Sequence, residues 1–141
     1  MEKVLVPKKI LIVTECFYPE EFNINDVALS WKDKGYDVDV LTLAPTYPLG
    51  KIFPGYKNSF FRKEKYLGIN VFRVRAITGC RDSEIKKILK YINFMAFGSI
   101  AVIFFRRKYD YILGFNMSAL TSMLPDICLC VLTRTSLLGL K

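Results

Sequence analysis

The sequence predicts an α/β protein with a mostly parallel sheet, and three stretches near its start carry that prediction. Ile10-Leu11-Ile12-Val13 is an apolar, β-branched run too short for a helix, the pattern of a strand buried on both faces. Ile24, Val27, Ala28 and Trp31 fall at i, i+3, i+4 and i+7, one apolar stripe able to lie on a sheet. Val38, Val40 and Leu41 then supply a second strand. The unit reads β-α-β, and the loop after its first strand is where such folds bind ligands.

The elements follow in order. A polar turn, Thr14 to Phe22, leads to Asn23, placed to cap the helix with Asp26 three residues on in a capping-box-like position. Lys34 and Gly35 close that helix, a cation in the last turn and a glycine just beyond. A loop from Ala44 to Asn58 holds three prolines and two glycines. Loops of this length in compact domains are usually functional or mobile. Phe61–Tyr66 and Ile69–Arg75 flank Leu67-Gly68 as a hairpin. Its second strand sets Asn70, Phe72 and Val74 against Val71, Arg73 and Arg75, so one face should be wetter than the other.

Asp82 is placed to cap a helix running to about Arg107, with Ile85, Leu89, Ile92, Ala96, Ser99 and Ile103 as its packed stripe. From Tyr91 to Phe105 that helix is apolar all round, yet the run falls short of the ~20 residues that cross a bilayer. A buried helix whose outer face meets protein or the bilayer surface is expected. Tyr109–Gly114 reads as a third parallel-type strand. Ser118 is then placed to cap a helix from Ala119 to about Arg134, kinked at Pro125. The order of elements is that of a doubly wound α/β half.

Composition narrows the chemistry. A chain of 141 residues suits one domain, and 52% apolar residues supply a core. The formal charge of +8 suits an anionic partner, with a solvated basic face as the plain alternative. The absence of histidine removes every Ser-His or Cys-His arrangement. Cys16, Cys80, Cys128 and Cys130 form no C-x-x-C pair, so no metal site is expected and reduced thiols are. Met1 to Lys9 lacks the apolar run of a signal peptide. No G-x-G-x-x-G follows the first strand, and no nucleic-acid-binding motif is present, so neither a dinucleotide nor nucleic acid is the expected ligand.

Four stretches, in order, resemble family 4 glycosyltransferases. Phe17-Tyr18-Pro19-Glu20 with Asn23-Ile24-Asn25-Asp26-Val27-Ala28 is similar to that family's first loop and helix. Lys34-Gly35-Tyr36-Asp37-Val38-Asp39-Val40-Leu41-Thr42 resembles its second strand. Ala44-Pro45-Thr46-Tyr47-Pro48-Leu49-Gly50-Lys51 is similar to a loop of its polysaccharide-assembly members, and Gly68 to Val74 to the strand after the hairpin. The resemblance covers about Lys8 to Leu138. It departs from the family at Glu20-Glu21-Phe22, where many relatives carry a glycine pair, and at Ala119, where they often have proline.

The resemblance implies that residues 1–141 are one Rossmann-like domain, the N-terminal, acceptor-side half of a two-domain GT-B enzyme. The donor half, with its nucleotide-sugar, would lie elsewhere, on a separate chain or beyond a truncation, because the sequence ends where the next strand should begin. No catalytic residue is then expected on this chain, nor any cofactor other than that donor. The implied partners are a glycan or lipid-linked sugar acceptor and an anionic membrane surface, the latter at the inner face of a cytoplasmic membrane. A non-enzymatic α/β module binding a membrane or partner through the helix at 82–107 is the alternative.

Within this frame the candidate acceptor-binding residues are Tyr18, Glu20, Glu21, Asn23, Thr46, Tyr47, Gly50, Lys51 and Ser118. Glu20 and Glu21 read either as acceptors for sugar hydroxyls or as solvated carboxylates favouring the helix dipole. Asn23 and Ser118 are explained by capping alone. Tyr47 would stack on a sugar and Lys51 would meet a phosphate. Arg73, Arg75, Arg81, Lys86, Lys87 and Lys90 would form a basic side facing the membrane, at ~1 kcal/mol per residue near it.

Overall fold

The computed structural model describes residues 8–47, 49–79, 83–104, 109–115 and 136–140, with side chains 95, 98, 99, 101–104 and 136–140 left aside. In order, the elements are β1 (Lys9–Thr14), α1 (Asn23–Asp33), β2 (Asp37–Leu43), β3 (Phe61–Tyr66), β4 (Ile69–Val74), α2 (Glu84–Phe104), β5 (Tyr111–Phe115) and β6 (Ser136–Leu140). The strands form one sheet in the order β3-β4-β2-β1-β5-β6, parallel throughout except for the β3–β4 hairpin. The fold is therefore α/β with a mostly parallel sheet, compatible with a Rossmann-like architecture.

Leu11, Ile12 and Val13 of β1 are wholly buried, as a strand covered on both faces requires. On one face Ile24 and Ala28 of α1 pack with Ile10, Ile12, Val40, Val71 and Leu113. On the other, Phe94 of α2 packs with Leu11, Val13, Leu41, Phe72 and Ile112. The α1 stripe thus faces the sheet as its spacing predicts. Its C-terminus is closed by a Schellman arrangement: Gly35, at φ +90°, donates to the Lys32 carbonyl, and Tyr36 donates to that of Trp31. The hairpin turns through Leu67 and Gly68, both at positive φ, the two-residue geometry that matches strand twist.

Four expectations are corrected. Phe22, not Asn23, is the N-cap of α1, and it makes no side-chain cap bond. With Phe22 at the N-cap and no side-chain cap bond there, Asn23 and Asp26 build no capping box. The neighbouring Asn25 instead reaches back to the loop, as described below.

The packed face of α2 is not the aliphatic stripe. Phe94 is the buried anchor and Lys90 is mostly buried, whereas Ile85, Leu89 and Ile92 are 71%, 45% and 52% exposed and Ala96 is exposed too. Aliphatic spacing identified the wrong side because an aromatic plug, with Phe97 beside it, fills the sheet face better than a row of isoleucines.

The chain also does not stop short of the next strand. Residues 136–140 form β6, parallel to β5 with Ile112 opposite Leu137. Finally, the β4 pattern has no wet face: Val71, Phe72, Arg73 and Val74 are all buried. Asp82, Arg81, Ser118 and the helix expected over 119–134 lie outside the described residues.

Exchanging the two sides of α2 in turn tests its orientation. Phe94→Ala is expected to cost about 3–5 kcal/mol, while Ile88→Ser stays within about 0.5 kcal/mol, read by urea unfolding.

Candidate functional site at the C-terminal ends of the strands

The loops after β1 and β2 meet above the C-terminal ends of the parallel strands, and one carboxylate joins them. Glu20 is 3% exposed. Its Oε2 accepts the Phe17 N–H at 3.2 Å, and its Oε1 accepts those of Thr46 at 3.0 Å and Tyr47 at 2.6 Å. Burial pushes its carboxyl above the usual range, and the three amide bonds pull against that rise. Glu20 is thus neither a solvated loop carboxylate nor a group presented to a ligand. It is an internal clamp. Asn25 reinforces it, accepting from the Tyr18 N–H at 3.1 Å and donating to the Glu20 carbonyl at 2.7 Å.

Arg73 forms the second clamp. It is 4% exposed and donates to Glu64 at 2.9 Å, to the Leu43 carbonyl at 3.1 Å and to the Tyr18 carbonyl, with the Tyr56 ring 5.2 Å from its guanidinium. In the β3–β4 register Arg73 stands opposite Arg62, and Glu64 bridges both, at 2.9 Å and 3.4 Å. A buried guanidinium needs such a partner on its diagonal neighbour. Arg73 and Lys90 are therefore removed from the expected basic surface. Arg75, Lys86 and Lys87 remain exposed on it.

With both clamps set, Tyr18 has its N–H and its carbonyl held. Its ring stacks on Tyr66, centroids 4.1 Å apart, and is 41% exposed. Tyr47, 48% exposed, tilts against Phe22 at 5.1 Å. Thr46 is buried. Gly50 lies inside the loop, taking an N–H bond to the Thr46 carbonyl and accepting from Gly79, both at 2.7 Å. Glu21 and Lys51 are exposed. The structure thus brings Tyr18, Glu20, Thr46 and Tyr47 together, while Asn23 stands on the outer surface of α1.

One group absent from the expected set stands out. Glu15, the first residue after β1, is 5% exposed. Its Oε2 lies 3.9 Å from Lys90 Nζ, and its Oε1 has no hydrogen-bond partner among the described residues. Burial raises its pKa, the lysine charge opposing. The signal was its position: the first residue past the central strand of a parallel sheet lies at the usual ligand crevice. Beside it the buried Cys16 thiol is pushed up to about 12, by burial first and the Glu20 charge next, so it is no reactive thiolate. Among the described residues no cluster of His, Cys, Asp or Glu fits a metal ion.

Compared with known proteins, the chain matches no family model and no curated protein.

The buried carboxyls fix the sign of a pH effect. The raised pKa of Glu15 means that the native state holds its proton more tightly than the unfolded chain does. Stability conferred by the protonated form is then lost as pH rises from the unfolded value through the folded one. Glu15→Gln does not titrate, so its stability relative to wild type should increase with pH across that window, measured by urea unfolding from about pH 4 to about pH 8. Arg73→Met should cost about 3–5 kcal/mol in the same assay, because Glu64 and two carbonyls lose their buried donor.

Proposed function

We propose that this chain is the acceptor-binding half of a retaining glycosyltransferase, a doubly wound Rossmann-like domain of the GT-B type that serves surface polysaccharide assembly. The full enzyme would move a sugar from a nucleotide donor to a hydroxyl of a glycan or lipid-linked acceptor. The observation that carries this reading is the pair of exposed tyrosines, Tyr18 and Tyr47, on two loops locked together by Glu20 above the strand ends. Flat aromatic rings on a rigid mount suit the apolar faces of sugar rings, and exposed Lys51 on the second loop suits a phosphate. The four stretches that resemble family 4 glycosyltransferases support the same assignment. Glu20, Thr46 and Gly50 serve as positioning residues, and Glu21 remains available to sugar hydroxyls.

The exposed side of α2 supports a peripheral place on an anionic membrane. Ile85, Ile88, Leu89, Ile92 and Ile100 form an apolar row, flanked by exposed Lys86 and Lys87. No helix among the described residues is long and apolar enough to cross a membrane. An apolar face with basic flanks lies in the interface instead. The same face carries the alternative reading, a membrane- or partner-binding module without enzymatic activity.

Isothermal titration with a synthetic alkyl diphosphate sugar tests the acceptor reading. Tyr18→Ala and Tyr47→Ala are each expected to weaken binding roughly fivefold, about 1 kcal/mol. The purified chain should bind this compound without transferring sugar to it. Failure to bind, with retained sedimentation on anionic vesicles, would favour the module instead. Leu89→Asp should abolish that sedimentation under either reading.

A further inference from the structure

A second concave feature lies at the opposite end of the sheet from the loops described above. Lys8, Ile10, Trp31, Tyr36 and Tyr111 line a cavity of about 260 Å³. The topology builds it: Ile10 and Tyr111 stand opposite each other where β1 and β5 begin, Trp31 is in the last turn of α1, and Tyr36 follows that helix. Three aromatic rings therefore converge on one aliphatic floor, with Trp31 and Tyr111 partly buried against the core. Drug-sized ligands occupy ~300–1,000 Å³, so this space fits a single ring.

Lys8 places a cation at its rim. Lys8 Nζ lies 5.2 Å from the centre of the Tyr111 ring and donates to its hydroxyl at 3.1 Å. Of the two nearby carboxylates, Asp37 pairs with the Lys9 ammonium at 4.0 Å, while Asp110 accepts the Lys9 N–H at 2.8 Å and keeps its charge, which acts on Lys8 from beyond hydrogen-bond distance. The Lys8 ammonium is left without a carboxylate at hydrogen-bond distance among the described residues. The C-terminus of α1 lies close by with about half a negative charge, but Gly35 and Tyr36 already cap its carbonyls and a full ammonium outweighs it.

We propose that this cavity binds a small planar ring carrying an anionic group, the ring held among Trp31, Tyr36 and Tyr111 and the anion on Lys8. The site is separate from the proposed acceptor site and does not depend on it. Aromatic walls supply contact area and orientation, and the lysine supplies selectivity for a carboxylate, sulfonate or phosphate over a neutral or cationic substituent.

Trp31 is the single tryptophan of the chain, so its fluorescence reports this cavity alone. The probes are benzoate, benzyl alcohol and benzylamine, three compounds of one ring that differ in charge. Benzoate is expected to change the emission saturably, with a Kd on the order of millimolar, as befits so small a ligand. It should bind about threefold more tightly than benzyl alcohol, the scale of a solvent-exposed ion pair, with benzylamine weaker still. Lys8→Met, a change at an exposed residue, should bring benzoate and benzyl alcohol to equal affinity. No saturable response to benzoate, equal responses to all three probes, or a benzoate preference that survives Lys8→Met would each overturn the proposal.

Discussion

Burial of β1 on both faces is the constraint from which the rest follows. Leu11, Ile12 and Val13 expose nothing, and β1 is paired in parallel with β2 on one side and β5 on the other. Alternate side chains must then be covered on opposite faces, which is why α1 packs on Ile10 and Ile12 while Phe94 of α2 packs on Leu11 and Val13. Parallel pairing also gathers the C-terminal ends of β1, β2, β4 and β5 at one end of the sheet. Whatever chemistry the fold offers is assembled there, on the loops those strands emit.

Two buried charges make those loops rigid. A carboxylate sunk beneath a loop is tolerable only when its lone pairs are used, and Glu20 uses its own on three backbone amides from two loops. A guanidinium in the middle of a buried strand is tolerable only with matching acceptors, and Arg73 finds Glu64 and two carbonyls. Both groups spend their hydrogen-bonding capacity internally, which leaves the solvent-facing work to Tyr18, Tyr47, Glu21 and Lys51. Glu15 differs from them in kind. It is buried in the same region with one oxygen unmatched among the described residues, a state it shares with the Thr42 hydroxyl of β2.

How much of this was legible in the sequence depended on which force set each feature. Period and turn chemistry set the elements, and those were readable: the α1 stripe, the Gly35 stop, the Leu67-Gly68 turn and the order of the strands through Tyr111 all follow local rules. Tertiary competition set the rest. Aliphatic spacing in α2 pointed to Ile85, Leu89 and Ile92 as core, but the sheet took Phe94, which the pattern did not single out. Arg73 looked like surface charge because no local rule links it to Glu64; the hairpin register that brings them together is a two-strand property. Asn23 had the residue type of a cap, yet Phe22 holds that position and Asn25 does the tying. Within the candidate site, the loop pair was legible from the turn formers between β2 and β3 and from the place of the first loop after β1. The clamp role of Glu20 and the buried state of Glu15 were not, because burial in a loop has no periodic signature.

Under the proposed function, the loop pair at the strand ends receives an acceptor sugar and not the donor nucleotide. Backbone amide chemical-shift mapping of the chain with an alkyl diphosphate sugar, and separately with a nucleotide-sugar, tests it most directly. Shifts centred on Tyr18, Glu21, Tyr47 and Lys51 are expected with the first compound and none there with the second. Shifts at those residues with the nucleotide-sugar alone, or with neither compound, would contradict it.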